Sequence, residues 1–426
     1  MTDRDKEDLP SLQDRDWLGA PELQKVLQVL GAHGEARVAG GAVRDALLGR
    51  PVADIDVATD IAPDEVVRIL DDAGIKTVPT GLDHGTVTAV VGSGASVKTY
   101  EVTTLRVDVE TDGRHAKVAF TDDWQADAGR RDFTMNALYC DRDGRVLDPL
   151  GGYRDLIARR VRFAGDPAAR IEEDYLRILR FFRFHAVFGW VEPDDEGLAA
   201  CTARRGGLDR LSGERINQEL FKLLPAPGAV DVVGIMAAAN ILSHVLPTAA
   251  DVPRFARLCA IEAACGRKPD GLLRLGALGL GGADDVAALR TRLVLTNRQT
   301  DRLERIAAPE MVLDPALSEG GRREALYRSG PDRFRDLALF AWAASDASPD
   351  APDWRALLSL PDRWSPPRLP VTGGDVVARG VEPGPRVGEI LDAFERWWID
   401  REFPLDAATV DGGLEKALKK TGVPEA

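Results

Sequence analysis

The sequence predicts an α/β domain with a mixed β-sheet, followed by an all-helical remainder. Three observations lead there. β-Branched runs alternate with helical periods only between residues 30 and 150, glycines stand where those strands give way to helices, and from residue 151 apolar residues recur at helical spacing. The 426 residues, 44% hydrophobic and 29% charged, suit a globular protein of several domains.

The first sixteen or so residues carry six acidic and three basic side chains and read as a frayed lead without chemistry. A helix near PELQKVLQVLGAHG completes a segment 1–29. ARVAGGAVRDALLG then reads as strand, glycine loop and helical turn ending at Gly49. ADIDVAT alternates as a strand, and Thr59 or Asp60 is expected to cap PDEVVRILDDAG, which has an early Pro and a terminal Gly. GTVTAVV and SVKTYEVTTLR bracket GSGA as a hairpin. Past VLDPLGGYRDLIARRVRF the pattern is helical, and the Pro- and Gly-rich SPDAPDW and RWSPPRLPVTGG precede a last helical block, GPRVGEILDAFERWWIDREF.

Composition narrows the function. A net charge of −14 argues against a nucleic-acid partner unless a local basic patch supplies the contact. Such a patch exists: residues 130–184 hold twelve Arg against nine Asp and Glu. No apolar run of about 18 residues occurs, and the N-terminus lacks the apolar core of a signal peptide, so no membrane association is expected and a cytoplasmic location is. Cys140, Cys201, Cys259 and Cys265 show no metal spacing and read as thiols in a reducing compartment.

The stretch GGAVRDALLGRPVADIDVATD carries the first chemistry. On a strand, Asp54 and Asp56 project from one face while Ile55 and Val57 face the core, and two aligned carboxylates suit Mg²⁺ shared with substrate phosphates. Gly40 and Gly41 before a helix let backbone N–H groups approach phosphate, with Arg44 beside them to pair with phosphate or with Asp45. Alone, either feature is equally a solvated turn. Together, a glycine pair, a short helix and D-x-D resemble the polymerase-β-like nucleotidyltransferases, in which a neighbouring strand supplies a third carboxylate. Glu101 in YEVTTLR is the candidate, an exposed strand Glu being the alternative.

A longer series, GGAVRDALLG, DIDVAT, EVTTLR, RRDFTMNALY, EEDYLRILRFFRF and SGERI, resembles in order the class II tRNA nucleotidyltransferases, that is, the CCA-adding enzymes and their bacterial poly(A) polymerase relatives. It covers residues 30–225, with a fainter match in VTGGDVVARGVEPGPRVGEIL; residues 226–360 match only in helical character. The resemblance implies an α/β nucleotidyltransferase head with a mixed sheet (30–150), then an all-α neck for nucleotide selection and RNA binding (151–225), and an all-α body and tail for tRNA binding (226–426). It implies addition of CMP and AMP from CTP and ATP to the 3′ end of tRNA, two Mg²⁺ ions at Asp54 and Asp56 with Glu101 assisting, and no protein partner.

Arg130, Arg131, Asp132 and Asn136 offer triphosphate donors and ribose partners within about a turn and a half, a surface charge cluster being the plain alternative. In EEDYLRILR, Asp174 and Arg177 share a helix face that Arg180 continues, while Leu176, Leu179 and Phe182 form the apolar stripe. An acceptor beside a donor fits the amino-and-ring-nitrogen edge of cytosine and of adenine and opposes uracil and guanine. Each mismatched group costs about 1–3 kcal/mol. The resemblance gives this reading to Asp174 and Arg177 with Glu173 beside them; an i,i+3 surface ion pair is the alternative. Arg159, Arg160 and Arg162, and Arg215 in the SGER stretch, are candidates for RNA phosphates, solvated helix faces being the alternative.

Rival readings are an A-adding enzyme, a poly(A) polymerase and a non-catalytic RNA-binding protein of this fold. Bacterial poly(A) polymerases carry RRFxLxHV where this chain has GASVKTYEVTTLR, and clustered carboxylates do not serve a binding module facing RNA. The loop around RVDVETDGRHAKVAF is expected to bear on the choice between CCA and A addition.

Overall fold

After helix α1 (Pro21–Gly31) the chain runs through β1 (Ala36–Ala39), α2 (Gly41–Leu47), β2 (Asp56–Thr59), α3 (Pro63–Asp72), β3 (Lys76–Gly81), β4 (Thr86–Val91) and β5 (Lys98–Thr104). A two-stranded ribbon, β6 (Arg106–Asp112) and β7 (His115–Phe120), precedes α4 (Trp124–Gly129), β8 (Tyr139–Cys140) and β9 (Val146–Leu147). This computed structural model describes residues 9–92, 97–112, 115–189 and 192–421. They divide into two compact units, Met1–Pro247 with Arg292–Val294, and Thr248–Thr291 with Leu295–Ala426.

The sheet of the first unit has the order β3-β4-β5-β2-β1-β8-β9. Only β2 and β5 pair in parallel; their neighbours are antiparallel, so the sheet is mixed as expected. Val57, Ala58 and Thr59 of β2 are all buried, the pattern of a central strand covered on both faces. α1 and α3 lay Leu23, Val26, Leu27 and Leu30, and Val66, Ile69 and Leu70, into the core. β4 and β5 form the expected pair, while their GSGA turn reaches into 93–96, outside the described residues. The segment RVDVETDGRHAKVAF is the β6–β7 ribbon, with 113–114 again outside them.

Two local expectations are corrected. The cap of α3 is Ala62, followed by Pro63, because Thr59 Oγ1 donates to the Glu35 carbonyl at 2.7 Å and Asp60 Oδ1 accepts the Glu35 N–H at 2.8 Å. Nor does the lead fray throughout: Leu12 and Leu18 are buried, and the Leu12 N–H donates to the Gly144 carbonyl at 2.8 Å. Gly144 has φ +87°, and a Cβ there would stand 2.3 Å from the Gln13 nitrogen, so only glycine lets the lead lie across this turn.

The helices that follow are α5 (Gly152–Ile157), α6 (Pro167–Glu173), α7 (Leu176–Phe188), α8 (Asp195–Arg204) and α9 (Gly213–Leu223). Phe181 of α7 stacks on Phe163 at 5.5 Å, Phe163 lies 5.1 Å from Phe133, and Phe133 lies 5.0 Å from Phe184. Phe133, Phe163 and Phe181 are buried, each contributing roughly 2 kcal/mol of apolar transfer, and they fix α7 against the segment that bears Arg131 and Asp132. The second unit is helical from Val252–Ala264 to Ala407–Lys420, with one core around Phe334, Trp342 and Trp354 and another around Phe394, Trp398 and Phe403. Within the faint VTGGDVV match, Thr372 and Asp375 form a reciprocal capping box. No helix among the described residues is long and apolar enough to cross a membrane.

Candidate active site

A cleft of about 620 Å³ opens where the C-terminal end of β1 and the antiparallel N-terminal end of β2, beside Glu101 of β5, meet α4, α7 and α9. It is lined by Gly40, Gly41, Arg44, Asp56, Glu101, Arg130, Arg131, Asp132, Asn136, Asp174, Arg177, Arg180 and Arg215, joined by Arg106, Asp127 and Phe184. Asp54, Glu173, Arg159, Arg160 and Arg162 lie outside the lining.

Asp56 and Glu101 sit side by side because β2 and β5 are parallel and in register at these two residues. Asp54 is not on the strand: β2 begins at Asp56, and Asp54 is exposed two residues ahead of it. Desolvation, then the negative charges of Glu101 and Asp54, hold the Asp56 carboxyl above its usual range, with Arg131 opposing. A like-charge group of this kind fits a divalent cation. No three His, Cys, Asp or Glu side chains among the described residues are placed to hold a metal by themselves. That donor set suits Mg²⁺, which takes one or two carboxylates and completes its shell with phosphate and water.

Gly40 has φ +68°, and a Cβ there would stand 2.9 Å from Arg131 Nη1. Its own N–H donates to the Leu138 carbonyl at 2.8 Å, so this glycine makes room for a guanidinium instead of offering an amide to phosphate. Arg44 donates to Asn136 Oδ1 at 2.6 Å, pairs with Asp45 at 2.9 Å and lies over the Phe188 ring at 4.4 Å.

The two arginines of RRDF are set by a residue that the motif reading did not single out. Asp127, 1% exposed, accepts from Arg130 Nε at 2.8 Å, Arg131 Nη2 at 3.3 Å and Tyr139 Oη at 2.7 Å. Burial raises its carboxyl, but Arg130, Arg131 and Tyr139 outweigh burial and hold it below the usual range. The spacing of Asp127 to Arg130 and Arg131, three and four residues on a short helix, is legible in the sequence. Arg131 Nε is buried with no hydrogen-bond partner among the described residues. Asp132 is internally satisfied: it accepts from Asn136 Nδ2 and the Phe133 N–H at 2.8 Å and from Arg180 Nε at 2.9 Å.

EEDYLRILR is not one helix. α6 stops at Glu173, Asp174 is extended (φ −155°, ψ 106°), and α7 starts at Leu176. Asp174 Oδ1 accepts the Leu176 N–H at 3.1 Å, the side-chain-to-backbone bond by which aspartate interrupts helices. Gly207 completes the break, since a Cβ there would fall 1.9 Å from the Tyr175 ring. Asp174 and Arg177 therefore do not pair. Asp174 Oδ2 accepts from Arg215 Nη2 at 2.7 Å, while Arg177 Nη1 donates to the Arg170 carbonyl at 2.7 Å and to Glu173. Arg170, buried and also absent from the motif reading, donates to Glu173 and to the Arg130 and Arg131 carbonyls, the last at 3.0 Å.

Of the four RNA candidates, Arg215 alone lines the cleft. Arg160 is engaged by Asp194 at 2.6 Å and Arg162 by Asp155 at 2.9 Å, while Arg159 follows α5 with φ +53°.

Residues 36–162 match the poly A polymerase head domain. The mitochondrial CCA tRNA nucleotidyltransferase 1 of Mus musculus is 34% identical over 387 residues, 87% of this chain and 84% of that protein. The CCA-adding enzyme of Streptococcus gordonii is 33% identical over 409 residues, 91% of this chain and 96% of its own length. A crystal structure of the Bacillus stearothermophilus CCA-adding enzyme in complex with CTP is similar with a TM-score of 0.69 at 28% identity, covering 94% of this chain and 98% of that one. With whole-length relatives above 30% identity, a matching head domain and the same fold, this chain belongs to the CCA-adding enzymes, a family of metal-dependent tRNA nucleotidyltransferases.

Proposed function

We propose that the chain adds CMP and AMP, from CTP and ATP, to the 3′ end of tRNA without a nucleic-acid template and releases pyrophosphate. One observation carries this reading: a single cleft gathers the Asp56–Glu101 carboxylates, the Arg130–Arg131 pair and the polar edges of Asp174 and Arg177. The RNA 3′-hydroxyl attacks the α-phosphorus of the bound nucleotide as the α–β phosphate bond breaks. Arg44, Arg130 and Arg131 hold the triphosphate, with Gly40 and Gly41 leaving room for them, and so neutralise the charge on the leaving pyrophosphate. Asp56 and Glu101, with Asp54 close by, are the groups that would hold two Mg²⁺ ions, and bound Mg²⁺ supplies activation of the hydroxyl and screening of the phosphates. Asp132 and Asn136 serve the ribose end through the network that fixes them to Arg44 and Arg180.

Asp174 accepts from the amino group of cytosine or adenine and Arg177 donates to the ring nitrogen beside it. Glu173 and the Arg170 carbonyl engage Nη1 of Arg177, and its other guanidinium donors are the ones for the base. The helical body and tail take the tRNA, with Arg159, Arg160 and Arg162 on the neck among the candidate phosphate contacts. Four free cysteines, three of them buried, suit a reducing compartment, and we place the activity in the cytoplasm.

The test is purified protein with tRNAs lacking CCA, ending after one C and ending after two, offered CTP and ATP separately and together. Two C and one A, added in that order and then stopping, is the expected result. Addition of A alone, or of long A tails, overturns the reading in favour of an A-adding enzyme or a poly(A) polymerase.

A further inference from the structure

We propose that Arg215 is a specificity-determining positioning residue, fixing the Asp174 carboxylate in the orientation that accepts the amino group of cytosine or adenine. The inference rests on the base-reading role given to Asp174 above. Sequence pattern put Arg215 among the RNA-phosphate contacts; its place in the cleft, 2.7 Å from Asp174 Oδ2, points elsewhere.

Asp174 stands in the break between α6 and α7, so no helix fixes its side chain. Two bonds do so instead: the Leu176 N–H on Oδ1 and Arg215 on Oδ2. Each carboxylate oxygen accepts two hydrogens, so both anchors leave an acceptor position for a base. With only the Leu176 N–H, the carboxylate is free to turn about its terminal torsion, and a rotated carboxylate no longer distinguishes an amino group from a carbonyl at a fixed point.

Arg215 is itself held in place. It shares a face of α9 with Glu219, four residues on. Glu219, 4% exposed, accepts from Arg183 Nε at 2.5 Å and lies 3.5 Å from Arg180 Nη1, both on α7. Ile216, Leu220 and Leu223 are buried beside it. One turn of α9 is thus bolted to α7, and the preceding turn carries Arg215 to the residue just ahead of that same helix. A plain ion pair, about a quarter exposed on each side, would contribute little to stability and nothing to base choice.

The experiment uses the full chain and compares wild type, Arg215→Met, Arg215→Lys, Asp174→Asn and the Asp174→Asn/Arg215→Met double variant. It measures kcat/KM for CTP and UTP on tRNA lacking CCA, and inhibition by tripolyphosphate, which has no base. Arg215→Met is expected to lower the CTP-over-UTP preference about tenfold or more through a higher KM for CTP, with tripolyphosphate inhibition within about twofold of wild type. Arg215→Lys recovers part of the preference, and the double variant discriminates no worse than Asp174→Asn alone. If Asp174→Asn discriminates like wild type, the base-reading role of Asp174 fails and this inference with it. If Asp174→Asn loses discrimination while Arg215→Met and Arg215→Lys both keep it, only the role of Arg215 is overturned. Should Arg215→Met fail to give folded protein by thermal melting, Arg215→Lys decides alone, retained wild-type preference with full recovery of KM refuting a requirement for the guanidinium.

Discussion

Asp127→Asn removes the charge on which both arginines of the RRDF motif converge. The carboxylate takes three side-chain donors, at 2.7 Å from Tyr139, 2.8 Å from Arg130 and 3.3 Å from Arg131, with the Arg106 N–H a fourth at 3.4 Å, and is 1% exposed. Asparagine keeps one acceptor oxygen but turns amide hydrogens toward two guanidinium groups. Bonds to charged groups contribute about 1.5–3 kcal/mol each, and breaking a buried pair from one side costs about 3–5 kcal/mol in all. For a unit of this size that is a fall in Tm of roughly 6–20 °C. The pH dependence has a definite sign. Asp127 is held below the usual carboxylate range in the fold, so its contribution is full above the unfolded-state value near pH 4 and is lost as pH falls through the lower folded value. Wild type and variant should therefore differ most at neutral pH and converge in acid. Differential scanning fluorimetry at neutral and acid pH measures that gap, and tripolyphosphate inhibition measures whether Arg130 and Arg131 still hold phosphate. Tyr139→Phe, which removes one bond and leaves both arginines paired, should cost only about 1 kcal/mol. An Asp127→Asn protein with a Tm within about 1 °C of wild type and unchanged tripolyphosphate inhibition would refute the hub.

Three further outcomes are expected. Gly40→Ala forces a φ of +68° on a residue with a Cβ, at about 1–2 kcal/mol, and drives that Cβ against Arg131 Nη1; steady-state kinetics should show a raised KM for both CTP and ATP. Gly207→Ala pushes the Tyr175 ring from its seat beside Asp174, costing about 1–3 kcal/mol in a thermal melt and increasing UTP incorporation. Burial pushes the Cys259 thiol up to about 11, and burial with the Asp141 charge pushes Cys140 up to about 12, so iodoacetamide at pH 8 should leave both unmodified in native protein by mass spectrometry; prompt labelling of either would contradict their burial.

The sheet was legible because period-two strands and glycine turns are local signals. Glu101 comes from the resemblance to the polymerase-β-like nucleotidyltransferases, and the parallel, in-register pairing of β5 with β2 is what sets it beside Asp56. What the sequence concealed is set over long distances. EEDYLRILR contains no Pro or Gly and reads as continuous helix. Its break depends on the aspartate bonding its own downstream backbone, on a glycine thirty-two residues after Tyr175, and on an arginine forty-one residues after Asp174. Asp54 misled for the opposite reason, since alternation in ADIDVAT begins before the strand has a partner: β1 pairs with β2 only from Asp56 onward.

The same long-range contacts account for base selection without a template in the proposed reaction. Arg170 donates to the carbonyls of Arg130 and Arg131 and also to Glu173, which holds Arg177. One buried guanidinium therefore fixes the base-reading donor relative to the two residues that grip the triphosphate. Asp174, the base-reading acceptor, is fixed separately from α9. A nucleotide held by its phosphates consequently presents its base at a set distance to a donor built on the same frame, whatever RNA end waits beside it. Geometry of this kind measures the nucleotide against itself. It should reject a base by the polarity of its edge, as a short rigid reader does, and damage to Arg170 should weaken phosphate affinity and selectivity together, whereas damage to Arg215 should weaken selectivity alone.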